Sequence, residues 1–138
     1  MREVFVLGWQ SRIHDALPTM LEKSYHVAPI VGEGVLEGVF TQTLLVEILV
    51  TRGGIDLTGE VVFDRFRTAC SLERPHRDVL LRPETLTIPE AECDFAEAFH
   101  RQVALSALLL TEQGRPGEPL LGLVTAFDLP SATGKQFL

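Results

Sequence analysis

Two cysteines, Cys70 and Cys93, in a chain of 138 residues are too few for a disulfide-framed scaffold. None is needed: at this length about two-thirds of the unfolded chain's surface can be buried without staples or a structural metal. An isolated pair in a chain that is 46% hydrophobic reads as two free thiols in a reducing, cytoplasmic compartment, with a bridge left open on sequence alone. Histidine is equally sparse. His14, His26, His76 and His100 stand alone, with no partner three to five residues away and no Cys-x-x-Cys pair, so zinc-ligand spacing is missing and no metal is expected. No apolar run approaches the roughly 20 residues of a membrane helix, and the opening Met1–Leu7 has only four consecutive apolar residues before Gly8. Neither a membrane span nor a secretory leader is expected. Positive charge is the scarcer sign, 12 Lys and Arg against 19 Asp and Glu for a net charge of −7. The arginines are scattered singly among acids, which excludes the basic field that non-specific nucleic-acid binding needs. One local positive pocket for an anionic small molecule remains compatible with that balance.

Catalytic signatures are also missing. The chain contains no Gly-x-Ser-x-Gly elbow, no phosphate-cradling Gly-x-x-x-x-Gly-Lys loop and no Gly-x-Gly-x-x-Gly fingerprint. Glu90, Glu92, Asp94 and Glu97 crowd one predicted helix, where acids near the N-terminus complement the helix dipole more simply than they form an acid–base pair. No enzyme activity is expected. Trp9 and Tyr25, the single residues of their types, read as core or interface rather than as a purine-stacking platform.

What is present is order. Val4–Leu7 is a predicted strand, and Ser11 is placed to cap a helix with apolar positions Ile13, Leu17, Met20 and Leu21. Pro18 interrupts that pattern, so the helix is expected to start near Asp15 or to kink. Tyr25–Val31 and Val35–Thr41 flank the turn Gly32-Glu33-Gly34 and predict a β-hairpin. Gln42–Thr51 returns to a helical period and stops at Gly53-Gly54. The stretch 55–82 is expected as a connecting segment, with a helix over Glu60–Cys70. Beyond it come a predicted strand at Leu86–Ile88, a helix entered at Pro89 that buries Ala91, Phe95, Ala98 and Phe99, and a strand at Val103–Leu110. A polar Gly/Pro stretch then leads to a strand at Leu120–Thr125 and a helical turn from Ala126.

Each half therefore reads β-α-β-β-α, which makes the chain an α/β protein of two units, 1–54 and 83–138. Gly38-Val39-Phe40-Thr41 recurs as Gly122-Leu123-Val124-Thr125, each time closing a hairpin's second strand just before a helix. One such tetrapeptide is a common string; two in the same place within matching units indicate an internal duplication.

The segments Met20-Leu21-Glu22, His26-Val27-Ala28-Pro29-Ile30-Val31 and Leu36–Thr41, with Leu120–Leu129 in the second copy, resemble the cystathionine-β-synthase (CBS) domain family. The resemblance spans nearly the whole chain; the middle stretch, Pro18 and the long second hairpin fit it least. It implies a tandem pair of CBS units packed through their sheets into one module. Such a module senses ligands or regulates, commonly as a homodimer, and holds adenosine-containing molecules such as AMP, ADP, ATP or S-adenosylmethionine in clefts between the halves. The partner it would regulate is not identified by the sequence. The alternative is a ligand-free scaffold that keeps the fold for dimerisation or protein contact.

The family's ribose-binding pattern, a serine or threonine followed three residues later by an aspartate, is matched by Thr125 and Asp128. A carboxylate there would accept hydrogen bonds from two neighbouring ribose hydroxyls, and charge-assisted bonds are about twice as strong as neutral ones. The competing readings are local: a first-turn aspartate complementing a helix dipole and a threonine N-cap. In the first copy Leu44 stands where Asp128 does, so one cleft is expected to be empty or altered and Thr41 reads mainly as a cap. The resemblance also implies weaker roles for His26, as a basic residue toward a phosphate, and for Thr87, as a main-chain contact on the strand opening the second unit. For His26 the bland reading is a polar strand edge.

Overall fold

The computed structural model describes residues 4–51 and 60–129. The chain divides into two compact units, Met1–Arg74 and Pro75–Leu138.

In the first unit the strand expected at Val4–Leu7 shrinks to a single parallel bridge from Leu7 to Ile30. Leu7 N–H donates to the Pro29 carbonyl (2.9 Å), and Val31 N–H donates to that of Leu7 (2.8 Å). The strand ends there because the chain turns at once: Gly8 N–H donates to Ser11 Oγ (3.0 Å). Ser11 therefore holds this turn and does not cap the helix. Helix α1, Ile13–Lys23, starts earlier than expected and runs through Pro18. Pro18 and His14, whose carbonyl loses its helical donor to the proline, are both solvent-exposed, so water can take over that bond. The stripe Ile13, Ala16 and Met20 is buried in the core of this unit and holds the helix against the proline.

The hairpin forms where the turn chemistry placed it. Strands β1, Val27–Gly32, and β2, Val35–Thr41, pair antiparallel from Val27↔Thr41 to Gly32↔Val35. Glu33 and Gly34 both have positive φ (52° and 82°), the two-residue turn whose twist matches paired strands. Helix α2, Gln42–Thr51, follows and buries Leu44 and Ile48; the stop expected at Gly53-Gly54 lies outside the described residues. The helix expected over Glu60–Cys70 is a 3-10 turn, Phe63–Phe66, followed by the one-turn helix α3, Arg67–Cys70. Within the expected connecting segment 55–82, residues 60–74 fold onto the first unit. Phe63, Phe66 and Cys70 enter its core, and Ile13, Phe63 and Asp64 exchange backbone bonds across the 9–13 and 61–64 stretches.

Trp9 lies over this assembly. Its Nε1 donates to Glu37 Oε1 (2.7 Å), and the Arg67 guanidinium sits 4.3 Å from its ring centroid. The ring and the backbone of α3 leave no room on β2 at Gly38, where a Cβ would stand 2.8 Å from Trp9 and 2.9 Å from the Cys70 carbonyl oxygen.

The second unit repeats the order. Strand β3 is Val79–Pro83, helix α4 Ile88–His100, β4 Ala107–Thr111 and β5 Gly122–Val124, followed by a 3-10 turn at Ala126–Asp128. The opening strand is thus β3, not Leu86–Ile88. Thr87 and Glu90 form a capping box and Pro89 stands in the first turn, so the β-branched run joins the helix entry. Only Ala91 of the expected apolar face is fully buried; Phe95 and Ala98 are half-buried, and Phe99 is 80% exposed. Strand β4 is shorter than Val103–Leu110 because Val103 N–H is drawn back to the Ala98 carbonyl (2.9 Å). β4 pairs parallel with β3 and antiparallel with β5. This is the arrangement of β1 with Leu7 and β2, so the duplication is present in the pairing itself.

The two repeated glycines differ in what surrounds them. At Gly122 a Cβ would meet only Leu110 Cδ1, at an ordinary 3.6 Å. Gly38→Ala should lower unfolding stability by about 1–3 kcal/mol, the usual cost of overpacking, while Gly122→Ala should be neutral within about 1 kcal/mol. Urea unfolding of the two variants checks this; equal losses would show that the Trp9 contact is not what demands glycine.

Candidate functional site

The polar residues of interest in the second unit collect at one end of its sheet. β3 and β4 run parallel and β5 runs against them, so the starts of β3 and β4 share an end with the finish of β5. Asp78 precedes β3, Ser106 precedes β4 and donates its N–H to the Asp78 carbonyl (2.7 Å), and Thr125 follows β5. Asp128 comes one 3-10 turn later.

Thr125 and Asp128 are bonded to each other. The Thr125 N–H and Oγ1–H both donate to Asp128 Oδ2, at 2.8 and 3.1 Å, and Asp128 N–H donates to the Thr125 carbonyl (3.0 Å). Asp128 is exposed and Thr125 half-buried. The pair thus closes its own turn while presenting a carboxylate at the surface, and an ionised carboxylate offers acceptor sites only.

Thr87 lies elsewhere. It follows β3 in the chain, so it stands beyond the opposite end of the sheet, as the N-cap of α4 and not on a strand. Its N–H and hydroxyl donate to Glu90 Oε1, both at 2.9 Å. These bonds, the backbone one first, hold the Glu90 carboxyl below the usual carboxylate range.

His26 and Thr41 occupy the matching end of the first unit. His26 is exposed, and its carbonyl accepts from Gln42 N–H (3.3 Å). Thr41 is buried, and its Oγ1 accepts from Leu44 N–H (3.0 Å). Leu44, the counterpart of Asp128, is itself buried in the core of that unit. The first copy therefore has an apolar core contact where the second has an exposed carboxylate.

Sequence reasoning passed over Asp78. It is 8% exposed, and its Oδ2 is buried with no hydrogen-bond partner. The available signal is a charged residue directly before the apolar run Val79-Leu80-Leu81, within the stretch expected as a connection. A second polar feature, a cavity of about 320 Å³ beside β3 and α4 lined in part by Arg77, Leu80, Arg82, Asp94 and Arg101, contains two ion pairs. Arg82 grips Asp94 through two bonds of 2.8 and 2.9 Å, and Arg101 pairs with Glu97 at 2.6 Å. Burial pushes the Cys70 thiol up to about 12, only partly offset by Arg74, which leaves it protonated and unreactive. Among the described residues no group of three or more His, Cys, Asp or Glu could hold a metal ion. Nor is any described helix long and apolar enough to cross a membrane.

Comparison with protein-family models and with curated proteins returns no match. Solved structures do match. A CBS-domain protein from Burkholderia ambifaria MC40-6 superposes with a TM-score of 0.64 at 18% identity, over 99% of this chain and 88% of that one. CBSX2, in complex with AMP, gives 0.62 at 17% identity, over 94% and 86%. The CBS domain pair of MJ0100, in complex with 5′-methylthioadenosine and S-adenosyl-L-methionine, gives 0.60 at 15% identity, over 93% and 86%.

The Thr87–Glu90 box carries a pH dependence. Because the folded Glu90 pKa is lowered, its contribution is complete above the unfolded carboxylate value and disappears as pH falls through the folded one. Amide exchange at the start of α4 should quicken across that acidic window in the wild type. In Glu90→Gln the intrinsically corrected rates should show no such step. A step of equal size in both would remove the box as its cause.

Proposed function

We propose that this chain, which has the CBS-domain fold, is a non-catalytic regulatory module that binds an adenosine-containing ligand at the Thr125–Asp128 end of its second unit. One observation carries the reading: an exposed carboxylate, one turn past the last strand and oriented by the threonine three residues before it. That arrangement suits the vicinal hydroxyls of a ribose. The complexes of two similar structures, one with AMP and one with 5′-methylthioadenosine and S-adenosyl-L-methionine, support it. AMP, ADP, ATP and S-adenosylmethionine are the ligands to try. The buried Leu44 of the first copy argues for one such site per chain. A homodimer that passes the ligand's binding energy to a separate protein completes the proposal; coupling of this kind typically amounts to about 1–3 kcal/mol.

A second reading is favoured by a specific observation. Asp128 Oδ2 already serves Thr125, so the pair also makes sense as a turn closure in a ligand-free scaffold that has kept the fold for protein contact.

Thermal unfolding with each nucleotide and with S-adenosylmethionine separates the two. A ligand at a hundred times its Kd adds about 2.7 kcal/mol, a rise of several degrees in Tm for a chain this size. The shift should vanish in Asp128→Ala and weaken in Asp128→Asn, which keeps an acceptor for Thr125. Wild type that is unmoved by every ligand would favour the scaffold.

A further inference from the structure

We infer that Asp78 selects the ligand's base by accepting a hydrogen bond from the 6-amino group of adenine, an inference that rests on the reading of Thr125–Asp128 as a ribose site. Asp78, Ser106 and Thr125 stand side by side at the same end of the β3-β4-β5 sheet. Ser106 is tied to Asp78 through the backbone (2.7 Å), and Thr125 is the next residue after the Leu108↔Val124 pair. Two inter-strand spacings, about 10 Å in all, separate Asp78 from Thr125. A purine nucleoside spans a similar length from its ribose hydroxyls to the far edge of its base. A nucleoside whose ribose meets Asp128 can therefore lie across the sheet end with its base edge beside Asp78.

Asp78 is chemically unusual for its place. Its Oδ2 is buried and makes no hydrogen bond, and a buried acceptor left unpaired destabilises the protein that carries it. Such a group is rare in a native fold without a purpose. The residue keeps 8% of its surface open, and turning its carboxylate toward a ligand breaks no side-chain bond that Oδ2 holds. Ionised, it accepts and cannot donate. Of the groups on adenine's six-membered edge, only the 6-amino group is a donor. The unsubstituted purine has no donor on that edge and leaves the carboxylate unpaired, and discrimination against it follows from that penalty; guanine has donors at N1 and at its 2-amino group, so the comparison with guanosine tests which edge is read.

The test is binding by isothermal titration of adenosine, purine riboside (the same nucleoside without the 6-amino group) and guanosine, each also as its 5′-monophosphate. Wild type, Asp78→Leu, Asp78→Ser and Asp128→Ala are compared. Wild type should favour adenine over the unsubstituted purine by about 10- to 100-fold, Asp78→Leu should bind the two alike, and Asp78→Ser, whose shorter side chain keeps a neutral acceptor, should show an intermediate preference. Unliganded Asp78→Leu should melt no lower than wild type, since it removes a buried acceptor that has no hydrogen-bond partner. Asp128→Ala should weaken both purines equally and keep their ratio. Equal affinities in wild type, a preference that survives in Asp78→Leu, or guanosine bound more tightly than adenosine would overturn the role of Asp78 while leaving the ribose site standing. If wild type binds none of the nucleosides or nucleotides, the ribose reading falls, and the role of Asp78 falls with it.

Discussion

Both units depend on a middle strand that is paired on each edge by a different rule. β1 and β4 each take an antiparallel partner from the hairpin that follows and a parallel partner from the segment before the preceding helix. The hairpin sets register locally, through its turn. The parallel side requires the chain to leave the sheet, form a helix and return. Together they oblige the hairpin's second strand to end beside the start of the middle strand. That is why Thr41 and Thr125, so far from each other in sequence, hold equivalent positions, and why Leu44 and Asp128, three places later, are counterparts.

From that shared frame the copies have diverged in opposite directions. In the first, the equivalent end is closed by packing: Thr41 is buried, Leu44 joins the core, and Trp9 and the Cys70 carbonyl stand so close to the sheet that Gly38 has no space for a side chain. In the second, β5 has only three residues and a half-buried pattern, Gly122 has room around it, and the end carries Asp78, Thr125 and Asp128. The loop between β4 and β5 keeps its form by another route. Glu118 Oε1 accepts from Thr111 Oγ1–H and from the N–H of Gln113 and Arg115. The first unit derives its definition from apolar burial, the second to a greater extent from short-range hydrogen bonds.

The legible parts of the sequence were those whose chemistry is complete within a few residues. Gly32-Glu33-Gly34 specifies a two-residue turn whatever lies beyond it, and Pro89 marks a helix entry. The paired Gly-x-x-Thr segments pointed correctly to a duplicated α/β arrangement. The misreadings share a cause. Val79–Pro83 was hidden because a parallel strand declares itself only beside its partner, and Leu86–Ile88 looked extended because β-branched residues carry no sign of the helix they enter. Pro18 looked prohibitive because its cost is local, whereas the buried stripe that outweighs it belongs to a core built from residues far away in sequence.

Of the candidate site, the sequence by itself determined the Thr125–Asp128 spacing and the leucine, Leu44, at the matching place in the first copy, since both are read from residues three apart. Only the tertiary structure decided that Thr87 lies at the other end of the sheet, that residues 60–74 belong with the first unit, and that Asp78 stands in line with Thr125 carrying a buried, unpaired oxygen. Spacing along the chain sets which groups a turn or cap can join. Burial, and adjacency across a sheet, are set by residues tens of positions away, and no local pattern encodes them.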